Sequence, residues 1–301
     1  KAGFRPTITG QFSGQRQKIS GSTSNSATGS IAITQTLFDG FSRSNSLLGA
    51  ETEVLRERQS LKSTEIQILE TAVQVYANVV RDRELVNIRK QNISFLEEQV
   101  RSTAAKLRVG EATRTELAQS EAELAAAKAT SVAANTQLKS SEALYQQVIG
   151  QLPLALDDTF IPSEYLPNNM EIAVSYGLRY HPQILASQYS LDKAYLDVDV
   201  QKASFLPKVS ASANLSKNDS SINSRVYSGN VSVPIYTGGV NFARTRQAQQ
   251  FVEQRKASLE STKRSIEQAI ISSWVNFDSA VATLDANEAQ LKAAELALKG
   301  V

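Results

Sequence analysis

Between positions 47 and 108 the apolar residues fall on strict sevens. Leu47, Val54, Leu61, Ile68 and Val75 form one line, and Ala72, Val79, Val86, Ile93, Val100 and Leu107 form a second that takes over where the first ends. The stretch has no Pro, and its only Gly is Gly49. A sustained seven-residue repeat under-winds a helix and wraps it left-handedly around neighbours. Such a helix would be roughly 90 Å long at its normal rise, longer than an ordinary domain of this chain length is wide.

Elsewhere the period changes to two. Residues 6–14 place Ile8, Gly10, Phe12 and Gly14 opposite Thr7, Thr9, Gln11 and Ser13, which predicts a strand. Residues 15–28 are rich in Ser, Gly and Asn and read as a loop. Residues 29–38 alternate again, with Ile31, Ile33 and Leu37 on one face, before Asp39-Gly40 turns the chain into the long helix. The order returns later. Residues 208–215 carry Val209, Ala211, Ala213 and Leu215 on one face, 216–228 read as a polar loop, and 229–236 carry Val231, Val233 and Ile235. Thr237-Gly238-Gly239 turns the chain, and a second long helix follows over about 241–299.

These copies align at a fixed offset of 198 residues from the second strand onward. Ser60-Leu61-Lys62-Ser63-Thr64 matches Ser258-Leu259-Glu260-Ser261-Thr262, Gly40 matches Gly238, and Tyr76 matches Trp274. The heptad lines match too, as Val252, Leu259 and Ile266, then Ile270, Phe277, Leu284, Leu291 and Leu298. Strand, loop, turn and helix recur in one order, which marks an internal repeat.

Between the copies, Val109-Gly110 reads as the stop of the first helix. Thr113 to Glu116 reads as a capping box opening a return helix, with Thr115 as an alternative cap. The return helix runs to about residue 149 with Leu117, Leu124, Leu138 and Tyr145 on sevens and many Ala between them. Residues 150–169 hold three Pro and read as irregular. A short helix over 171–180 ends at His181-Pro182, and another helix covers 183–205.

Composition narrows the classes. A net charge of +2 with mixed signs gives no electrostatic case for nucleic acid. There is no Cys, so disulfides and thiolate metal sites are excluded. No window carries the apolar run of a transmembrane helix, and no signal peptide is visible. The chain starts on a strand-like segment and stops within a helical pattern, which reads as a fragment of a longer precursor. The only His, His181, precedes Pro at a helix break and reads as structural, as does Trp274 beside the heptad lines. Gly238-Gly239 lacks the spacing of a phosphate loop. No acid, base and nucleophile group together, and neither an enzyme nor a cofactor is expected.

Four strands do not close a barrel, since closure takes about eight or more. Other copies of the chain must complete the sheet. The strands have the length that crosses a bilayer when tilted. Phe4, Phe38, Phe205 and Tyr236 sit at the helix end, as an interfacial aromatic belt would. A barrel continued by a helical rod is a conduit leading away from a membrane. The rival reading is a coiled-coil envelope spacer or adhesin stalk without a conducting pore, which has no need of two amphipathic hairpins.

Several passages together resemble the TolC family of outer-membrane efflux and type I secretion channels. They are Leu37-Phe38-Asp39-Gly40, residues 109–117, His181-Pro182-Gln183-Ile184, Leu206-Pro207, and Pro234-Ile235-Tyr236-Thr237-Gly238-Gly239. The resemblance implies a mainly α chain with a small β part. Long coiled-coil hairpins and four amphipathic strands would form, in a homotrimer, a twelve-stranded β-barrel in outer-membrane lipid, continued by a twelve-helix α-barrel in the periplasm. It implies the exit duct of a tripartite system for drugs, toxic small molecules or secreted polypeptides. A periplasmic adaptor (membrane fusion) protein and an inner-membrane transporter would be its partners. Carried onto this chain, Val109, Gly110, Thr113 and Leu117 fall in the adaptor-docking tip. Thr115 and Glu116 match a pair that holds the tunnel entrance closed, although Glu116 also reads simply as a capping residue.

By this reading the whole chain is one partial efflux-protein unit. Residues 1–40 are hairpin 1, 41–150 the long helix, tip and return helix, and 151–182 an equatorial connector. Residues 183–206 are a helix, 207–239 hairpin 2, and 240–301 a truncated second long helix. The family's helix before the first strand has no counterpart here, and the repeat places the second tip beyond Val301.

Overall fold

A computed structural model describes residues 2–154, 156, 166–218 and 223–299. Four strands, β1 (Thr7–Ile19), β2 (Ser22–Phe38), β3 (Lys208–Asn218) and β4 (Asn223–Ser232), form one antiparallel sheet in chain order. Five helices accompany it: α1 (Ser42–Arg108), α2 (Arg114–Ile149), α3 (Met170–Tyr180), α4 (Pro182–Lys202) and α5 (Val240–Lys299). None of the described helices is long and apolar enough to cross a membrane. The chain divides into two compact units, Lys1–Lys62 with Pro167–Val301, and Ser63–Leu166.

In the first unit α4 packs on α5. Ile184, Leu191, Ala194 and Val198 meet Val252, Leu259 and Ile266, and all are buried. Both sides repeat on sevens, as interlocking coiled-coil side chains require. Ser187 bonds Thr262, Lys256 lies over the Tyr195 ring, and Asn241 bonds Ser204, so the two helices run antiparallel. The short α3 reaches the same helix: a Cβ on Gly177 would lie 2.2 Å from Ile270 Cδ1, so Gly allows this approach without moving the end of the Ile270 side chain. His181 caps α4 by accepting the Gln183 N–H on Nδ1 at 3.2 Å.

The second unit is a helical hairpin of α1 and α2. Asp82–Ser141, Arg83–Glu142, Glu97–Lys128 and Thr103–Ser120 contacts set the two helices antiparallel. Val79 is wholly buried, with Val75 and Tyr145 beside it and Leu156 against them. On α2 the buried line is Ser120, Ala127, Ala134 and Ser141, joined by Ser131 and Tyr145. The Leu line expected from the sequence flanks this seam: Leu117, Leu124 and Leu138 are half-buried. Small side chains at the closest approach let the helices draw together. Of the first heptad line on α1, Val54, Leu61 and Ile68 are exposed in the chain.

The strands are longer than their alternation indicated. Residues 15–28, expected as a loop, continue the ladder to the Ile19–Ser22 pair. A two-residue turn joins β1 to β2 at Ser20 (φ 46°) and Gly21 (φ 87°), the left-handed pair of a tight hairpin. β3 likewise runs on to Asn218. β4 begins at Asn223 and ends at Ser232, so 233–236 lie outside the sheet. Pro234 has no N–H to give a ladder. α1 starts at Ser42, ahead of the first heptad residue, and the 203–205 stretch is a 3-10 turn closing α4. Half of the irregular connector expected over 150–169, residues 155 and 157–165, lies outside the described residues, as do Gly300 and Val301.

Candidate functional site

The sheet sorts its side chains by face. Register links Ile8, Ile33, Ala213 and Tyr227 in one row across all four strands, and Gly10, Ile31, Leu215 and Arg225 in the next. The opposite face carries Thr7, Thr34, Ser212 and Ser228 in one row, and Gln11, Ser30, Ser216 and Ser224 in another. Ser212 and Ser228 hydroxyls meet at 2.8 Å across β3 and β4. Over these rows one wall is mainly apolar and the other polar and uncharged, although Lys208 and Val226 also fall on the polar side, paired with Ser232 and Asn214. The apolar wall is bare in the chain, with Phe12 80% and Tyr227 76% exposed. The sheet ends in two edge strands, β1 and β4, each with an unpaired ladder side.

Where sheet meets helices, the repeat becomes physical. A 3-10 turn precedes each hairpin, at Ala2–Phe4 and at Ala203–Phe205, displaced by the same interval as Pro6 and Pro207. Arg43, opening α1, donates to the Gly3 carbonyl at 2.6 Å; its repeat counterpart Asn241, opening α5, donates to the Ser204 carbonyl at 3.1 Å. Gly3 and Ser204 are themselves counterparts. Arg43 also binds Asp39 at 2.9 Å and lies over the Phe4 ring. Phe205 stacks obliquely on Phe242, and Phe38 meets Phe41 edge-on. Phe4, Phe38, Phe205 and Tyr236 thus all stand at the helix end of the sheet.

The tip residues come together within nine positions of chain, 109–117. Gly110 takes φ 81° and its N–H bonds Leu107, while Glu111 N–H bonds Lys106, closing α1 with a left-handed stop. Thr113 caps α2, with both bonds of the capping box present. Its Oγ accepts the Glu116 N–H at 3.2 Å, and Glu116 Oε2 accepts the Thr113 N–H at 2.5 Å. Thr115 is therefore not the cap. The Thr113 backbone bond, followed by its hydroxyl, holds the Glu116 carboxyl below its ordinary pKa. Val109, Gly110, Thr113, Thr115 and Glu116 are exposed, and Leu117 is half-buried.

One polar residue escaped the sequence reading. Asp82 is 1% exposed, between α1 and α2. It continues the first heptad line past Ile68 and Val75, which is the signal that could have found it. Ser141 donates to its Oδ2 at 2.6 Å, and Arg81 donates to Oδ1 at 2.8 Å. Burial pushes its pKa up, but the Ser141 and Arg81 hydrogen bonds outweigh that, so the net direction is down. Among the described residues no three His, Cys, Asp or Glu stand close enough to hold a metal ion.

Comparison with known proteins places this arrangement. The outer membrane efflux protein family model matches residues 1–151 and 175–300. The chain is 36% identical over 313 residues to the outer membrane efflux protein BepC of Brucella suis, covering 100% of this chain and 68% of that protein. It is 22% identical to the alkaline protease secretion protein AprF of Pseudomonas aeruginosa, over 78% of this chain and 51% of that one. The chain thus spans about two thirds of the first relative and about half of the second. The fold matches the crystal structure of the CusC transmembrane channel with a TM-score of 0.85 at 15% identity, covering 98% of this chain and 72% of that one. With the family model spanning most of its length, this chain belongs to the outer membrane efflux protein family.

Proposed function

We propose that the chain is a subunit of a homotrimeric outer-membrane duct that carries cargo out of the cell, without catalysing a reaction. The carrying observation is the register of the sheet. It gathers mainly apolar side chains on one wall and polar ones on the other, uncharged except for Lys208 at the helix end, across all four strands. A wall of that kind suits lipid outside and water inside. Because the strands alternate in direction, β4 of one copy beside β1 of the next continues the antiparallel order, and three copies give twelve strands. Closure also removes both edges. A lumen lined mainly by Ser, Thr, Asn and Gln, with Lys208 as the one charged side chain the four strands turn to it, has little charge to reject cargo of either sign. Drugs, toxic small molecules and secreted polypeptides are the cargo classes this supports. The two repeats act as one unit, with each hairpin feeding one long helix.

The α1–α2 tip is the docking surface for the periplasmic adaptor, through Val109, Gly110, Thr113 and Leu117. That adaptor joins the duct to an inner-membrane transporter, which supplies the energy. A Schellman stop followed at once by a capping box supports the reading, because it fixes a tight, exposed turn. Thr115 and Glu116 are the candidates for holding the entrance closed. The test is single-channel conductance of the full-length protein in a planar bilayer, with oligomer mass in detergent. Long-lived steps from a trimer are expected. A monomer that never enters the bilayer would overturn the duct.

A further inference from the structure

The apolar wall ends in cations at its edge away from the helices. On β1 the outward run Ile8, Gly10, Phe12, Gly14 is followed by Arg16 and Lys18. On β3 the run Val209, Ala211, Ala213, Leu215 is followed by Lys217. On β4, read back from the helices, Val231, Gly229 and Tyr227 are followed by Arg225. These four cations lie on the apolar side of the sheet, since each alternates in step with those apolar residues; the fifth cation of the strands, Lys208, lies on the polar face at the helix end. The four strands contain no Asp or Glu. The nearest acid along the chain, Asp219, lies outside the described residues.

The cations are also staggered. Arg225 is level with Gly10 through Leu215 and Ile31, Lys217 with Phe12 through Gly29, and Arg16 lies further along β1. The helix end of the sheet is cut in the same sense. β1 starts at the Thr7–Thr34 pair, while β3 and β4 continue past it to the Lys208–Ser232 pair. The shift from Arg225 to Arg16 is about 20 Å along the strands against about 14 Å across them. That slope, about 55°, runs in the sense of the strand tilt of a closed barrel but is steeper than its roughly 35–45°, so on a tilted wall the cations come within several ångströms of one level.

We propose that Arg16, Lys217 and Arg225, with Lys18 beyond them, form a belt that binds the phosphate groups of anionic lipid in the outer leaflet of the membrane around the barrel. The inference rests on the duct reading for its placement. The cations lie where an apolar band gives way to head groups, and guanidinium groups bind phosphate oxygens in pairs. Basic residues at a membrane surface draw anionic lipid to it. From the belt outward the β1–β2 hairpin is polar on both faces, with Gln15 and Gln17 paired to Ser26 and Ser24 on one and Arg16 and Lys18 to Asn25 and Thr23 on the other, as a segment standing in water should be.

The test uses the full-length oligomer in detergent, mixed with micelles of bisphosphorylated lipid A or of the same lipid stripped of phosphate. The phosphorylated lipid should raise the midpoint for thermal loss of the oligomer by several degrees, and raised salt should weaken the rise. The variant with Arg16→Gln, Lys217→Gln and Arg225→Gln should lose most of the rise, and Arg16→Lys with Arg225→Lys should keep it. An equal rise in the Gln variant, with the stripped lipid, or with inorganic phosphate alone would overturn the belt. If the Gln variant does not assemble, the two lipids on the wild-type oligomer still decide. A conducting oligomer indifferent to phosphate ends the belt alone, whereas absence of any conducting oligomer ends the duct reading.

Discussion

Gly40 presses against Leu206 so closely that a Cβ on it would lie 2.7 Å from the Leu206 Cβ and 2.8 Å from the Ala203 carbonyl oxygen. The contact joins the end of the first hairpin to the start of the second. Gly40 also holds φ 67°, a conformation that costs an L side chain about 1–2 kcal/mol before any clash. Gly40→Ala should therefore cost more than that, since neither neighbour is the free end of a flexible side chain. Gly110→Ala is the control. Its φ of 81° carries the same strain, but nothing lies within 4 Å of its added Cβ. Thermal midpoints of the two purified variants should differ, with Gly40→Ala the lower.

Asp82 and Ser141 test the hairpin. Removing a partner from a buried charge leaves it short of hydrogen bonds, so Ser141→Ala should destabilise by about 1–3 kcal/mol. Asp82→Ala loses the Arg81 bond as well and should cost at least as much. The double variant should cost less than the sum, because the pair shares one bond. Acid gives a second readout. The folded pKa of Asp82 lies below its ordinary value, so its contribution is present above that ordinary value and is lost as pH falls through the folded one. Ser141→Ala should flatten the acid limb of the stability curve.

At the tip, the capping and gating roles of Glu116 separate by variant. Thr113→Ala removes the cap and should cost about 1 kcal/mol with no change in conductance. Glu116→Gln keeps an acceptor for the Thr113 N–H and should hold the tip, since Gln also serves in a capping box. If Glu116 gates, Glu116→Ala and Thr115→Ala should each raise the conductance of the reconstituted channel, whereas Thr113→Ala should not. Unchanged conductance in both leaves Glu116 as a capping residue.

The sequence already contained the sevens of α5, the capping box and the two hairpin starts. Each is a local pattern that the structure keeps. The distal halves of the strands were hidden because Gln15 to Lys18 and Ser24 to Ser26 are polar on both faces, so no alternation marks them. Only the ladder and the Ser20-Gly21 turn reveal their extent. The seam of α2 was hidden for a different reason. Ser120, Ala127, Ala134 and Ser141 do repeat on sevens, but small residues carry little hydrophobic weight, and Leu117, Leu124 and Leu138 drew the line one face away. The cationic belt needs inter-strand register, which a single chain of letters does not supply: Arg16, Lys217 and Arg225 are far apart in sequence.

His181 gives a clean titration because it is the only His in the chain. Its Nδ1 must be unprotonated to accept the Gln183 N–H. Burial lowers its pKa below the ordinary value of 6.5, since desolvation disfavours the charged ring. The folded state thus prefers neutral His181 more than the unfolded state does. Its contribution to stability is complete above the ordinary value and is lost as pH falls through the lower folded value. His181→Asn replaces the ring with an acceptor that does not titrate and that caps helices well. The variant should match the wild type near neutrality and stay flat on mild acidification, where the wild type declines by up to about 1 kcal/mol. Denaturant midpoints measured across that pH range, with the imidazole resonance followed by NMR, give both numbers. A wild-type midpoint that stays level while the imidazole titrates would show that the cap bond contributes nothing to the α3–α4 break.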